Sequence, residues 1–198
     1  MSEILVPLVV FLFPLAYSPG PGNVVFAANG ARFGLRATVP ASLGYHLATW
    51  LVTAVIGFGV VSALAATPTV FLALKLAGAL YVFWLAWRLF GAGATDGGTE
   101  ARPATFLDGA ILLLLNPKAY VIIALMFTQF LPEAGAERGG PVMMITTVFT
   151  LNNLIAFTMW TMLGDRLAAL FAHDASARAL NKGFGAVLAA VAIWMLAA

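Results

Sequence analysis

Apolar runs of about 20 residues recur along the whole chain, each long enough to cross a hydrocarbon core of roughly 30 Å as a helix. No other feature constrains the fold as much. In hydrocarbon every backbone N–H and C=O must find its partner inside the protein, so each run reads as a continuous helix unless something breaks it. Composition agrees: 62% of the 198 residues are hydrophobic and 9% are charged, against roughly 25% charged in a soluble domain. The expected fold is an all-α integral membrane protein with no soluble domain.

Six spans are expected, at Ile4–Ala31, Val39–Ala66, Thr69–Phe90, Phe106–Leu131, Pro141–Leu163 and Ala179–Ala198. The last is the weakest, because its charge-free part begins only at Gly183 and must be extended back past Lys182. The first reads as a retained span. Its start, Met1-Ser2-Glu3, is acidic, and the apolar pattern resumes after a Pro/Gly break. The connections are brief except for "GAGATDGGTEARPAT", residues 91–105, which reads as a surface linker between residues 1–90 and 106–198.

Arg32, Arg36, Arg88, Arg102, Arg166, Arg178 and Lys182 fall on one side of this arrangement and Arg138 alone on the other. The positive-inside rule makes the first side cytoplasmic and both termini external. "KLAGALYVFWLAWRL" from Lys75 aligns with "KGFGAVLAAVAIWML" from Lys182 at five of 15 positions. Spans 1 and 4 also share a mid-span proline. With three spans per half the second copy is inverted, and broken helices at matching places in inverted repeats mark secondary transporters.

The informative residues are those that do not belong in lipid. Ser18-Pro19-Gly20-Pro21-Gly22-Asn23 lies near the centre of span 1. Each proline removes an N–H and strains the preceding turn, and irregular backbone at that depth must be buried in protein or line a wet cavity. Span 4 carries Asn116-Pro117-Lys118 at its middle. Asparagine is a preferred N-cap and proline is favoured at the first helical position, so the triplet can start a second half-helix. Lys118 lies some twelve residues from either span end, or about 18 Å, beyond comfortable snorkelling. An intramembrane lysine costs at least ~2.5 kcal/mol and usually faces a pathway or a partner; no carboxylate lies at similar depth.

Asn152-Asn153 sits in the middle of span 5. One asparagine alone could simply bond helix to helix, but two adjacent ones point in different directions, so at least one is expected to face the interior. His46 has two readings, a proton carrier and a hydrogen-bonded packing residue; Thr49, one turn on, shares its face. Lys75 lies close enough to the outer end of span 3 to reach the interface, and with His46, Thr49 and Tyr81 it is also a candidate proton or pathway residue. In this arrangement the second half-helices of spans 1 and 4 both start near the midplane. Their positive N-termini and Lys118 suit a carboxylate, while carbonyls near Tyr17 and Leu115 and the Asn116 side chain could accept from an ammonium. The expected ligand is an amino-acid zwitterion.

At these residues the sequence resembles the LysE/RhtB family of bacterial amino-acid exporters: "SPGPGN" in span 1, "LKLAGALYVFWLAWRL" in span 3 and "FLDGAILLLLNPKAY…FTQFLP" in span 4. The resemblance runs the length of the chain. It implies export of amino acids or derivatives, driven by the proton-motive force, from a bacterial inner membrane. The motif positions carry over onto Pro19, Gly20, Pro21 and Asn23, onto Gly78 and Tyr81, and onto Asn116, Pro117 and Lys118. Many members have an acidic residue in span 2 soon after a glycine. Here "YHLATW" follows Gly44, which argues against a cationic substrate and for a neutral or hydrophobic amino acid.

No enzyme motif is present: there is no "HExxH", no "GxSxG" and no buried acid pair. The absence of cysteine excludes disulfides, thiolate metal sites and iron–sulfur clusters. A passive channel and a metal-ion exporter are the alternatives, the latter disfavoured because divalent cations want buried carboxylates, His or Cys. The expected partners are an amino acid and the lipid bilayer, with a homo-oligomer left open, and with no cofactor, metal or nucleic acid.

Overall fold

The computed structural model describes residues 2–59, 68–90, 102–131, 139–170 and 174–197. Helices account for nearly all of them: α1 (Ser2–Tyr17), α2 (Pro21–Gly57), α3 (Pro68–Phe90), α4 (Phe106–Leu114), α5 (Pro117–Phe130), α6 (Gly139–Leu170) and α7 (Asp174–Ala197). No strand occurs among the described residues. The helices α2 and α6 are long and apolar enough to cross a membrane, and α4 with α5, bent by 62° at their junction, make a third candidate if the pair is one span. Shorter apolar stretches cover Ile4–Tyr17, Leu76–Trp87 and Lys182–Ile193.

Where they are described, the expected segments fall on helix apart from their breaks, with two prolines and a glycine setting the boundaries. The chain leaves α1 after Tyr17 and re-enters helix at Pro21, which needs no N–H in the first turn. It also breaks at Asn116 before Pro117. Within α2, Gly34 adopts φ 79°, ψ 171°, a conformation open essentially to glycine. It divides α2 into an arm over 21–33, which continues beyond the first break, and an arm over 35–57. The end of the expected second span, the loop at 91–101 and Arg138 lie outside the described residues.

Large apolar side chains point outward all over the molecule, with Val6, Val10, Leu80 and Trp87 about two-thirds exposed or more. Such a surface faces lipid. Between helices in lipid there is little hydrophobic driving force, so close association depends on small residues that let backbones touch. Here α2 packs along α6 and crosses α4, and α3 pairs with α7. Both α2 contacts are reciprocal glycine crossings. A Cβ on Gly30 would overlap the Thr161 carbonyl and one on Gly164 the Ala27 carbonyl; Gly44 and Gly109 stand in the same relation to the Phe106 and Ala41 carbonyls.

Three apolar clusters fill the interior. One joins Leu8 and Leu12 of α1 to Ile123 and Met126 of α5 and to Ile145 and Phe149 of α6. A central one surrounds Tyr45 and Phe157. The third joins Val24 and Ala28 of α2 to α3 and α7.

Candidate functional site

The two helix breaks, about a hundred residues apart in sequence, meet in space. Lys118, in the first turn of α5, donates through Nζ to the Ser18 carbonyl at 2.9 Å and to Ser18 Oγ at 3.0 Å. Ser18 Oγ in turn donates to the Leu15 carbonyl at 3.1 Å. An ammonium has three donors, so this pair of bonds leaves one for a ligand. Gly20 makes room for it: a Cβ there would stand 3.0 Å from Lys118 Cδ and 3.1 Å from Nζ. The backbone at Gly20 is extended, so its lack of a side chain matters for space and not for dihedral freedom.

Carbonyls freed at the end of α1 are taken up from three directions. Asn23 Nδ2 reaches back across the break to the Ala16 carbonyl at 2.9 Å. Trp160 Nε1 from α6 donates to the Tyr17 carbonyl at 3.2 Å, and Lys118 holds Ser18. The Tyr17 carbonyl, expected to accept from a ligand ammonium, thus already takes one indole N–H and keeps a second lone pair. At the other break the Tyr120 hydroxyl donates to the Leu114 carbonyl at 3.1 Å.

The N-termini beyond the breaks remain open. Neither Gly20 nor Asn116 makes a side-chain cap bond, although each occupies the N-cap position before a proline. Asn116 instead donates through Nδ2 to the Tyr45 hydroxyl at 3.1 Å, and its buried Oδ1 has no partner among the described residues. Asn153 of α6 is buried and is the second amide beside that hydroxyl. Asn152 Nδ2 is buried and has no partner among the described residues. Two helix starts, one ammonium and the unmatched Asn116 Oδ1 thus lie at the junction of the breaks.

His46 lies against the rings of Phe26, Tyr45 and Phe157, with centroids 5.3–6.4 Å away. Its Nδ1 is 2.7 Å from the Ser42 carbonyl; a carbonyl only accepts, so Nδ1 carries the hydrogen. Nε2 is buried and makes no geometrically sound hydrogen bond among the described residues, with the Asn153 backbone close to the ring. Thr49 spends its hydroxyl on the Tyr45 carbonyl at 2.8 Å. Tyr81 stacks on Trp84 at 5.7 Å, lines a cavity and packs against the apolar cluster around Tyr45 and Phe157. Lys75 is on α3, and its side chain lies outside those described. Pro19 is exposed, while Pro21 and Gly22 are buried, with Gly22 beneath the Phe157 ring.

Sequence reasoning missed Tyr45, Ser18 and Trp160 as partners of the breaks. It also missed a cavity of about 110 Å³ between the first arm of α2, α3 and the start of α4. A tyrosine next to the one histidine of span 2 was the only local signal.

Helices with lipid-facing surfaces around two facing backbone breaks define a helical membrane protein built about a central polar site. The chain belongs to the LysE type translocator family, whose model matches residues 13–198; it is a membrane translocator and not an enzyme. It is 29% identical to a homoserine/homoserine lactone efflux protein of Salmonella typhimurium over 87% of this chain and 86% of that one. An uncharacterized membrane protein of Pseudomonas aeruginosa is 30% identical over 91% of both chains. A leucine efflux protein of Enterobacter sp. (strain 638) is 25% identical over 72% of this chain and 71% of that one. No solved structure matches.

Proposed function

We propose that this protein exports neutral or hydrophobic amino acids, or close derivatives, from the cytoplasm across the bacterial inner membrane, coupled to the proton-motive force. In this reading the chain crosses six times as two inverted three-helix repeats, residues 1–90 and 106–198, joined by a cytoplasmic linker over 91–105. Spans 1 and 4 are the broken ones, and both termini face outward. Two of the relatives are named for efflux of homoserine and its lactone and of leucine, and both amino acids are neutral zwitterions.

The observation that carries the reading is the ammonium of Lys118 at the junction of the breaks, 2.9 Å from the Ser18 carbonyl. Its remaining N–H, with the open starts of α2 and α5, receives the substrate carboxylate. The Asn116 Oδ1, buried and unmatched, receives the ammonium. Pro19, Gly20, Pro21, Gly22, Asn23, Pro117, Asn152 and Asn153 shape the site around these groups. His46 is the candidate proton carrier, since its Nε2 makes no hydrogen bond among the described residues.

Proteoliposomes loaded against an imposed pH gradient test this directly. Labelled homoserine or leucine should accumulate, and a protonophore should abolish the accumulation. A folded, reconstituted protein that accumulates no amino acid under any gradient refutes the reading.

A further inference from the structure

The cavity beside the central site carries charge of both signs in a molecule with very little of either. Arg102 and Asp108 line it together with Asn29, Trp84 and Phe26, and its volume is about 110 Å³. Cavities that need no ligand or water are apolar; this one has two guanidiniums, of Arg32 and Arg102, and the Asp108 carboxylate on its wall, with aliphatic groups from Val25, Leu85 and Leu188 beside them. Its wall is fixed. Asn29 donates to Thr38 Oγ1 at 2.8 Å and accepts from the Ala104 N–H at 3.0 Å, which ties residues 102–105 to α2. Thr105 and Asp108 close a capping box, with the Asp108 carboxylate accepting from the Thr105 N–H at 2.8 Å.

The cavity and the break site share one side chain. Phe26 lines the cavity, is 2% exposed, and packs edge-on against Tyr45 at 5.7 Å and Phe157 at 5.0 Å. Tyr45 carries the Asn116 hydrogen bond. A single phenyl ring and the tyrosine behind it therefore separate the charged cavity from the amide groups of the break.

We propose that this cavity is the first docking site on the cytoplasmic side, where an amino acid binds as a zwitterion before passing Phe26 to the break. The carboxylate pairs with Arg102, the ammonium with Asp108, and the aliphatic wall takes the side chain. This inference rests on the amino-acid export reading and adds to it a second site, distinct from Lys118. The same zwitterionic chemistry occurs in a phosphatidylethanolamine headgroup, so the test separates the two sources.

Trp84 on the cavity wall provides the readout. The full chain in nanodiscs of phosphatidylglycerol is titrated with leucine and with homoserine while tryptophan fluorescence is followed. A saturable change that disappears in Trp84→Phe is expected. Arg102→Gln and Asp108→Asn should each raise the half-saturating concentration about tenfold, the worth of a hydrogen bond to a charged group. Asparagine at 108 retains an acceptor for the Thr105 cap, so that variant should keep its fold. N-acetyl-leucine and leucinamide, each lacking one charge, should fail to displace leucine. No Trp84 response to any amino acid, or unchanged half-saturation in both variants, overturns the assignment. So does a Trp84 response to added phosphatidylethanolamine that amino acids cannot reverse. Accumulation in proteoliposomes that persists in those cases leaves the export reading standing without this site.

Discussion

Replacing Lys118 with methionine separates binding from folding, and the balance can be worked from the geometry. The ammonium makes two hydrogen bonds to Ser18, at 2.9 and 3.0 Å, and bonds to a charged group contribute about 1.5–3 kcal/mol each. Against them stands the burial of a charge in an apolar bundle, at least ~2.5 kcal/mol by insertion scales. In Lys118→Met both terms vanish together, and the thioether chain fills a similar volume. What remains is the Ser18 carbonyl without its donor, about 1–3 kcal/mol, offset by release of the charge. The net change in stability is within about 2 kcal/mol, or roughly 6 °C in Tm for a chain of this size. Transport has no such compensation. On the proposed reading a substrate carboxylate loses the Lys118 counter-charge at the break, so initial rates should fall at least about tenfold. The assay pairs thermal unfolding in detergent with uptake into proteoliposomes at matched protein content. Unchanged transport would remove Lys118 from the site. A Tm loss beyond about 10 °C together with lost transport would make it a structural tie between the breaks.

Three further outcomes follow from other contacts. Gly44→Ala places a methyl group on the Phe106 carbonyl, and since backbone cannot rotate away, the cost should reach the upper part of the 1–3 kcal/mol range for overpacking, read as a lower Tm in detergent. Gly34→Ala forces a Cβ into φ 79°, ψ 171° and should cost about 1–3 kcal/mol, with the kink in α2 altered in distance measurements between its two arms. Asn23→Ala uncovers the Ala16 carbonyl and should cost about 1–3 kcal/mol; Asn23→Asp, which accepts but does not donate, should not restore it.

The helix breaks were legible because their causes are local. A proline that lacks an N–H and a glycine that leaves space act on their own turn, and the helices part at 18–20 and 115–116, within or beside the expected stretches Ser18–Asn23 and Asn116–Lys118. What fills the breaks was not legible. The donors to the carbonyls of Tyr17 and Ser18 come from Trp160 and Lys118, more than a hundred residues onward or close to it, and no spacing rule links them. Asn116 shows the same limit from the other side. Its N-cap position follows from sequence, yet its amide turns to the Tyr45 hydroxyl, a buried donor-acceptor 71 residues away, in preference to the backbone beside it. Arg102 and Asp108 read in sequence as charges near span ends. Only the packing of α3 beside α2 encloses them in a cavity.

The glycine crossings have a mechanical consequence. They fasten α2 to α6 and to α4 through Gly30, Gly164, Gly44 and Gly109, near Arg32, Arg102 and Arg166 in the chain. The far half is closed by the side chains of Leu8, Leu12, Met126 and Phe149. Side chains yield by changing rotamer, whereas a Cα held against a carbonyl oxygen has no rotamer to change. The end held by backbone contacts is therefore expected to be the stiffer one and the end closed by side chains the more compliant. With no native cysteine to compete for label, spin-label pairs across the two ends should report a narrow distance distribution at the first and a broad one at the second.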